Sequence, residues 1–101
     1  MILQCFAVYD RKAGAYITPW FAPNHGMALR SFATVLRDET HAFRLFPEDY
    51  SLFYLGDFDD SNGMFDGGEP VCIARAHELA ATVEMEKPSH IDLEEVLSDE
   101  E

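Results

Sequence analysis

The first eight positions after Met1, ILQCFAVY (Ile2–Tyr9), form a nearly unbroken run of apolar, aromatic and β-branched residues. That pattern predicts a strand buried on both faces or nearly so. DRKAG (Asp10–Gly14) reads as a turn, and AYITPWF (Ala15–Phe21) as a returning strand. Pro19 ends that strand or marks it as an edge, because proline donates no ladder hydrogen bond. The period then changes. Met27, Leu29, Phe32, Ala33, Val35 and Leu36 recur at mostly helical spacing, with Arg30 and Arg37 on the other side and Asn24 placed as an N-cap. This predicts a helix over about 25–38. Asp38 and Glu39 would sit at its unfavourable C-terminal end, which suggests that it stops there. HAFRLFPED (His41–Asp49) reads as a loop anchored by Phe43, Leu45 and Phe46, and YSLFYLGDF (Tyr50–Phe58) as a strand rich in aromatic residues. Residues 70–81 start as strand at Val71–Ile73 and drift toward helix at Ala74–Ala81, so the segment is ambiguous. Beyond EKPS a last helix is expected, with Ser89 as its cap, Asp92 at its third position, and Leu93, Val96 and Leu97 on one face.

Between the last two strand patterns lies YLGDFDDSNGMFDGGE (Tyr54–Glu69), which has the look of a calcium loop. Started at Asp57, an EF-type loop meets Asn62 where a sharp turn needs glycine, and Gly68 where a bidentate glutamate belongs. Started at Phe58, Gly63 and Glu69 fall correctly, but the first ligand is a phenylalanine with no oxygen. A hairpin fits better, because Asn-Gly is the strongest short signal for a two-residue type I′ turn. A turn at Asn62-Gly63 pairs Ser61 with Met64, Asp60 with Phe65 and Asp59 with Asp66. It places Tyr54, Phe58 and Phe65 on one face and Asp57, Asp59 and Asp66 on the other. Opposed carboxylates are unfavourable, so these acids call for water, a cation or a basic partner.

Taken together, these elements predict one α+β domain over 1–83, a small antiparallel sheet with one main helix (about 25–38) packed on one face. Residues 84–101 would follow as an acidic C-terminal tail, disordered or a short amphipathic helix. The charge distribution supports that division. Residues 84–101 hold eight acids and one lysine, and residues 1–83 hold eleven acids and six basic residues. The net charge is −12, with no basic stripe to neutralise phosphates, which disfavours a stand-alone nucleic-acid binder. A chain of 101 residues buries only about 60–70% of its unfolded surface, and self-association is a common remedy. Cys5 and Cys72 each lie in an apolar run without CxxC spacing, which fits small hydrophobes in a reducing compartment. No apolar run approaches the ~20 residues of a membrane span, and a secretory leader is not expected, because strand pattern follows Met1 directly.

Candidate chemistry is sparse. The histidines (His25, His41, His77, His90) show neither HxxxH nor HExxH spacing, and no serine lies in a GxSxG elbow. The glycine-rich DGGE is acidic and would repel phosphate. The expectation is a protein that is not an enzyme and uses no metal or cofactor. The aromatic residues are expected mostly in the core, with Trp20 and Phe21 beside Pro19 partly exposed as a dimer or partner surface. Trp20, Phe21, Asp57, Asp59, Asp66, Leu93, Val96 and Leu97 are therefore the candidate partner-binding residues.

Four stretches, FAVYDRKAGAY (Phe6–Tyr16), PWF (Pro19–Phe21), GMALRSF (Gly26–Phe32) and PEDYSLFYLGDFDD (Pro47–Asp60), occur in an order that resembles the small nonstructural protein of gokushoviruses. These are single-stranded DNA phages of the Microviridae, and the resemblance covers roughly residues 1–75. It implies a phage-encoded protein made in the cytoplasm of an infected bacterial host and absent from the mature capsid. By analogy with better-studied microviruses, it implies a role in the switch from duplex replication to single-stranded genome synthesis with packaging. It carries over no catalytic or binding residue. The expected function is regulation of viral single-stranded DNA synthesis or packaging through contacts with a phage or host replication or packaging protein, with a homodimer possible. Two other readings stand beside it: a weak single-stranded DNA binder using exposed aromatics, and an acidic mimic that sequesters a host DNA-binding protein.

Overall fold

A computed structural model of the chain describes residues 1–82. The expected tail, with Ser89, Leu93, Val96 and Leu97, lies outside the described residues. β1 (Ile2–Asp10) is the spine of a five-stranded sheet. β2 (Ala15–Tyr16) and β3 (Trp20–Ala22) both pair antiparallel along one of its edges, and β4 (Tyr50–Asp59) pairs antiparallel along the other. β5 (Met64–Arg75) adds antiparallel to β4 and forms the far edge. The expected single strand at 15–21 is thus two short ones. Ile17 N–H still donates to the Val8 carbonyl at 2.8 Å, but Pro19 has no N–H to continue the ladder.

α1 (His25–Leu36) starts where the sequence places it, with the Asn24 side chain accepting from Met27 N–H at 2.9 Å. Its buried stripe is Ala28, Phe32 and Leu36, four residues apart. The loop expected at 41–49 contains a one-turn helix α2 (Ala42–Leu45) and a 3₁₀ turn (Pro47–Asp49). Phe43 from this segment packs against Phe32 and Tyr50, whereas Leu45 and Phe46 are exposed. After β5 the chain is helical over 76–82.

The architecture departs from a small sheet with one main helix packed on it. Over the described residues the protein is a mostly antiparallel sheet, 44% strand, curled into a half-barrel with short helices. Three features explain the difference. β5 is one continuous strand of twelve residues, where the sequence pattern suggested a hairpin strand after Gly63 and then a separate short strand at Val71–Ile73 drifting into helix. Both long pairings are interrupted by bulges: Leu55 is an extra residue against the consecutive Cys5 and Phe6, and Ile73 is extra against Leu52 and Phe53. Bulges bend strands and increase twist, so the sheet curls round its own core. Of the eight buried residues that form the main cluster, Phe6, Val8, Ala22 and Leu52 come from strands, only Ala28, Phe32 and Leu36 from α1, and Ala76 from the final helical segment.

The hairpin exists, in a different register. Asp59 pairs with Met64, Phe58 with Phe65 and Asp57 with Asp66, which leaves Asp60–Gly63 as a four-residue loop. The side chain of Asp59 decides this. It accepts from Ser61 N–H at 3.0 Å and from the Ser61 hydroxyl at 2.6 Å, while Gly63 N–H donates to the Asp59 carbonyl at 2.8 Å. Gly63 takes φ 77°, and Asn62 accepts from Met64 N–H at 2.9 Å without occupying a type I′ turn. Phe58 and Phe65 are consequently directly opposed.

Gly56 sits where the β4 bulge, β1 and β5 converge, with φ 154°. A Cβ there would lie 2.6 Å from the Asp66 carbonyl oxygen and 3.0 Å from the Phe65 ring. Gly56→Ala is expected to cost about 2 kcal/mol or more by forced repacking and backbone strain. Gly68→Ala, which points into open space, should shift stability by no more than about 1 kcal/mol. Urea unfolding of the two variants checks the contrast, and equal midpoints would contradict it.

Candidate functional site

The register divides the sheet's side chains into two faces. Alternation along β1 sends Gln4, Phe6 and Val8 to an inner face that meets the helices, and Leu3, Cys5, Ala7 and Tyr9 to an outer face that does not. Four cross-strand rows build the outer face. Tyr16, Tyr9, Ser51 and Arg75 form the first, and Ala7, Phe53 and Cys72 the second. Phe21, Cys5, Gly56 and Gly67 form the third, and Leu3, Phe58 and Phe65 the fourth. The rings lie over the small residues. Tyr9, Tyr16 and Phe53 make a mutual edge-to-face cluster with centroids 4.9–6.2 Å apart, and Phe21 meets Phe58 at 5.4 Å. The Phe65 ring covers Gly56 and Gly67. Cys5 and Ala7 are only 4% and 0% exposed, although neither belongs to the core cluster that packs against the described helices. Burial also pushes the Cys5 thiol up from its ordinary pKa, which disfavours the thiolate there.

The inner face changes character along its length. Near the helices it is apolar, and Trp20, Val8, Ile17, Phe32 and Phe43 line a cavity of about 270 Å³ beside α1. Toward the hairpin it becomes polar: Ala22, Gln4, Asp57 and Asp66 form one row, and Ile2, Asp59 and Met64 the next. His25 Nδ1 lies 2.6 Å from Gln4 Oε1, so the ring nitrogen is the donor. The His25 ring packs on Tyr54 at 4.8 Å and edge-on to Phe6 at 5.4 Å. The Tyr54 hydroxyl donates to Asp57 Oδ1 at 2.5 Å. That bond pushes the Tyr54 phenol up from its ordinary value, with burial and the charges of Asp57 and Asp66 adding to it. Asp59 is held below the ordinary carboxylate value, chiefly by the Ser61 hydroxyl and N–H, so it stays charged in mild acid.

The candidates from the sequence therefore separate. Trp20 and Phe21 are adjacent in β3 and fall on opposite faces: Trp20 is half-buried against Phe6 at 6.1 Å, and Phe21 is 48% exposed on the outer face. Asp57, Asp59 and Asp66 do share one face, but Asp66 opposes Asp57 and not Asp59. Tyr54 joins these acids instead of Phe58 and Phe65, because the bulge at Leu55 reverses the alternation. Leu93, Val96 and Leu97 lie outside the described residues. The sequence reading missed His25, Gln4 and Tyr54 as neighbours of the acids, and of the outer rings it expected Phe21 to be partly exposed while leaving Tyr9, Tyr16 and Phe53 mostly to the core. Among the described residues no three His, Cys, Asp or Glu side chains converge to hold a metal ion.

Two outcomes follow from the acidic rows. The raised Tyr54 phenol stabilises the fold fully below its unfolded pKa of about 10, and that contribution is lost as pH rises through the higher folded value. In a tyrosine absorbance titration, Asp57→Asn should therefore shift the ionisation of one late-titrating phenol to lower pH, and no change would show that the bond is absent in solution. Asp66→Asn relieves the carboxylate opposed to Asp57, so it should raise the thermal midpoint at low salt, with the gain shrinking as salt is added.

The comparisons with known proteins bear on identity. A family model described as Phage ORF5 protein matches residues 3–79. No curated protein and no solved structure matches the chain. No helix among the described residues is long and apolar enough to cross a membrane. The family match takes in all five strands and α1 and covers well over half of the 101 residues, so the chain belongs to the Phage ORF5 protein family.

Proposed function

We propose that this phage accessory protein is of the gokushovirus type and acts inside the infected bacterium, on viral single-stranded DNA synthesis or packaging. It works by contacting a phage or host replication or packaging protein and catalyses no reaction. The observation that carries this reading is the pair of directly opposed carboxylates, Asp57 and Asp66, with Asp59 one row further along the same face. Among the described residues neither Asp57 nor Asp66 has a basic side chain as ion-pair partner. Two adjacent carboxylates match the planar fork of an arginine, and a net charge of −12 steers the whole chain toward a basic surface. The same chemistry serves the reading of an acidic mimic that sequesters a host DNA-binding protein.

A second reading has its own support. Tyr16, Phe21 and Phe65 are exposed rings on a sheet face, and such rings stack on single-stranded bases. It lacks the cationic track that usually accompanies stacking, since Arg75 is the sole basic residue in the four outer rows. Fluorescence anisotropy with labelled single-stranded DNA at low salt separates the readings. No saturable binding is expected, and tight, salt-sensitive binding would sink the protein-contact proposal. A pull-down from infected cells should capture a basic protein with the unaltered chain and lose it with Asp57→Asn/Asp66→Asn.

A further inference from the structure

We propose that the outer face of the sheet is a homodimer interface, in which a second copy of the chain packs its own outer face against the first. The proposal rests on how charge and apolar surface are separated, and it is independent of the acidic-face reading above. The four outer rows contain no acidic residue, although the described residues 1–82 hold eleven acids and six basic residues. Arg75 stands at the end of one row, where its guanidinium lies 3.8 Å from Glu78. Three rings on this face are about half exposed: Tyr16 at 44%, Phe21 at 48% and Phe65 at 51%. Contiguous exposed aromatic surface on a sheet marks an interface.

The chemistry of the face selects its occupant. A phosphate backbone would need cations in the rows, and a charged protein surface would be desolvated there without partners. An identical face offers neither problem. Its rows hold no carboxylate, their one cation, Arg75, stands at the margin beside Glu78, and a two-fold axis would bring these rows of the two copies together with Asp57, Asp59 and Asp66 of each on the far side. Two copies of one twisted sheet pack face to face about 10 Å apart at roughly −30°, as in a β-sandwich. Counting side-chain margins, the rows cover on the order of 600 Å² per copy, or about 1,200 Å² in total, which reaches the lower bound of specific interfaces. The alternative of pairing through the free edge is blunted. β5 carries Pro70 and two bulged stretches, devices that keep an edge strand from adding a further strand.

The face also contains its own reporter. The chain has two cysteines: Cys5 is buried, and Cys72 is exposed in the second outer row, opposite Phe53. Light scattering coupled to size exclusion should give about twice 11.5 kDa at about 100 μM, falling toward 11.5 kDa on dilution. Alkylation of Cys72 should slow several-fold over the same rise in concentration. Phe65→Arg and Tyr16→Arg each put an unpaired charge into the face, so both should remain monomeric with an unchanged far-ultraviolet circular dichroism spectrum. Tyr16→Arg guards against loss of the cover that Phe65 gives to Gly56 and Gly67. Met27→Arg, on the exposed side of α1, should dimerise as the unaltered chain does. A monomer at every concentration overturns the proposal. So does a dimer that neither arginine variant weakens. A monomer in which Cys72 is shielded overturns it too, because the remaining chain would then cover the face.

Discussion

Most of this molecule depends on the point in β4 where Leu55 is squeezed out of register with β1. In a regular strand Tyr54 and Asp57, three residues apart, point to opposite sides. The bulge between the pairs Cys5–Gly56 and Phe6–Tyr54 reverses the alternation, so both side chains reach the inner face and the Tyr54 hydroxyl donates to Asp57. The same residue lets an apolar inner face near the helices continue into an acidic one near the hairpin, with no break in the strand. Gly56 is what makes it possible. Its φ of 154° and the approach of the Asp66 carbonyl oxygen leave no room for a side chain. The Phe65 ring then takes the space that a side chain at Gly56 or Gly67 would have used.

The elements whose period was strong were readable before the fold was known. β1, α1 with its Asn24 cap, and β4 all lie close to where the hydrophobic pattern puts them, whereas residues 70–81, ambiguous in the sequence, are strand to Arg75 and helix from 76. The bulges were not legible, because the β4 stretch Leu52–Leu55 that enters the Leu55 bulge is apolar or aromatic at every position, so a reversal of alternation there leaves no polar residue out of place. The hairpin register failed for a local reason: the Asp59 side chain, bonded to Ser61, outweighed the preference of Asn62-Gly63 for a two-residue turn. Yet Asp57, Asp59 and Asp66 still share a face. Moving the register by one residue on each strand changes which acids are opposed and leaves every side chain on its own side. Fold class was misjudged because curl comes from bulges, and β5 runs through Gly67, Gly68 and Pro70, residues that argue against a long strand.

Burial on the outer face answers a second problem. A single sheet with helices on one side leaves its other side in water, and that side is usually polar. Here it is not: small residues (Cys5, Ala7, Gly56, Gly67) occupy the middle, and rings from neighbouring rows fold over them. Edge-to-face pairs such as Tyr16 on Phe53 contribute about 0.5–1.5 kcal/mol each beyond the area they bury. The rings therefore act as a thin second layer made from side chains alone. That layer is incomplete, since Tyr16, Phe21 and Phe65 each keep about half their surface in water.

An aromatic face without acids is costly for an isolated domain, and a net charge of −12 is costly for any assembly. Each feature relieves the other. Acids gathered at the hairpin end of the inner face leave the outer face able to meet an apolar surface without burying a carboxylate. The aromatic cover gives the sheet enough buried area to tolerate the repulsion of Asp57 and Asp66 across adjacent strands. The bulge at Leu55 is the structural reason that the two can lie on opposite sides of one sheet, because it decides which face receives Tyr54 and which receives Phe58. The separation of charge from apolar surface is thus fixed by backbone geometry at one residue and expressed along the whole sheet.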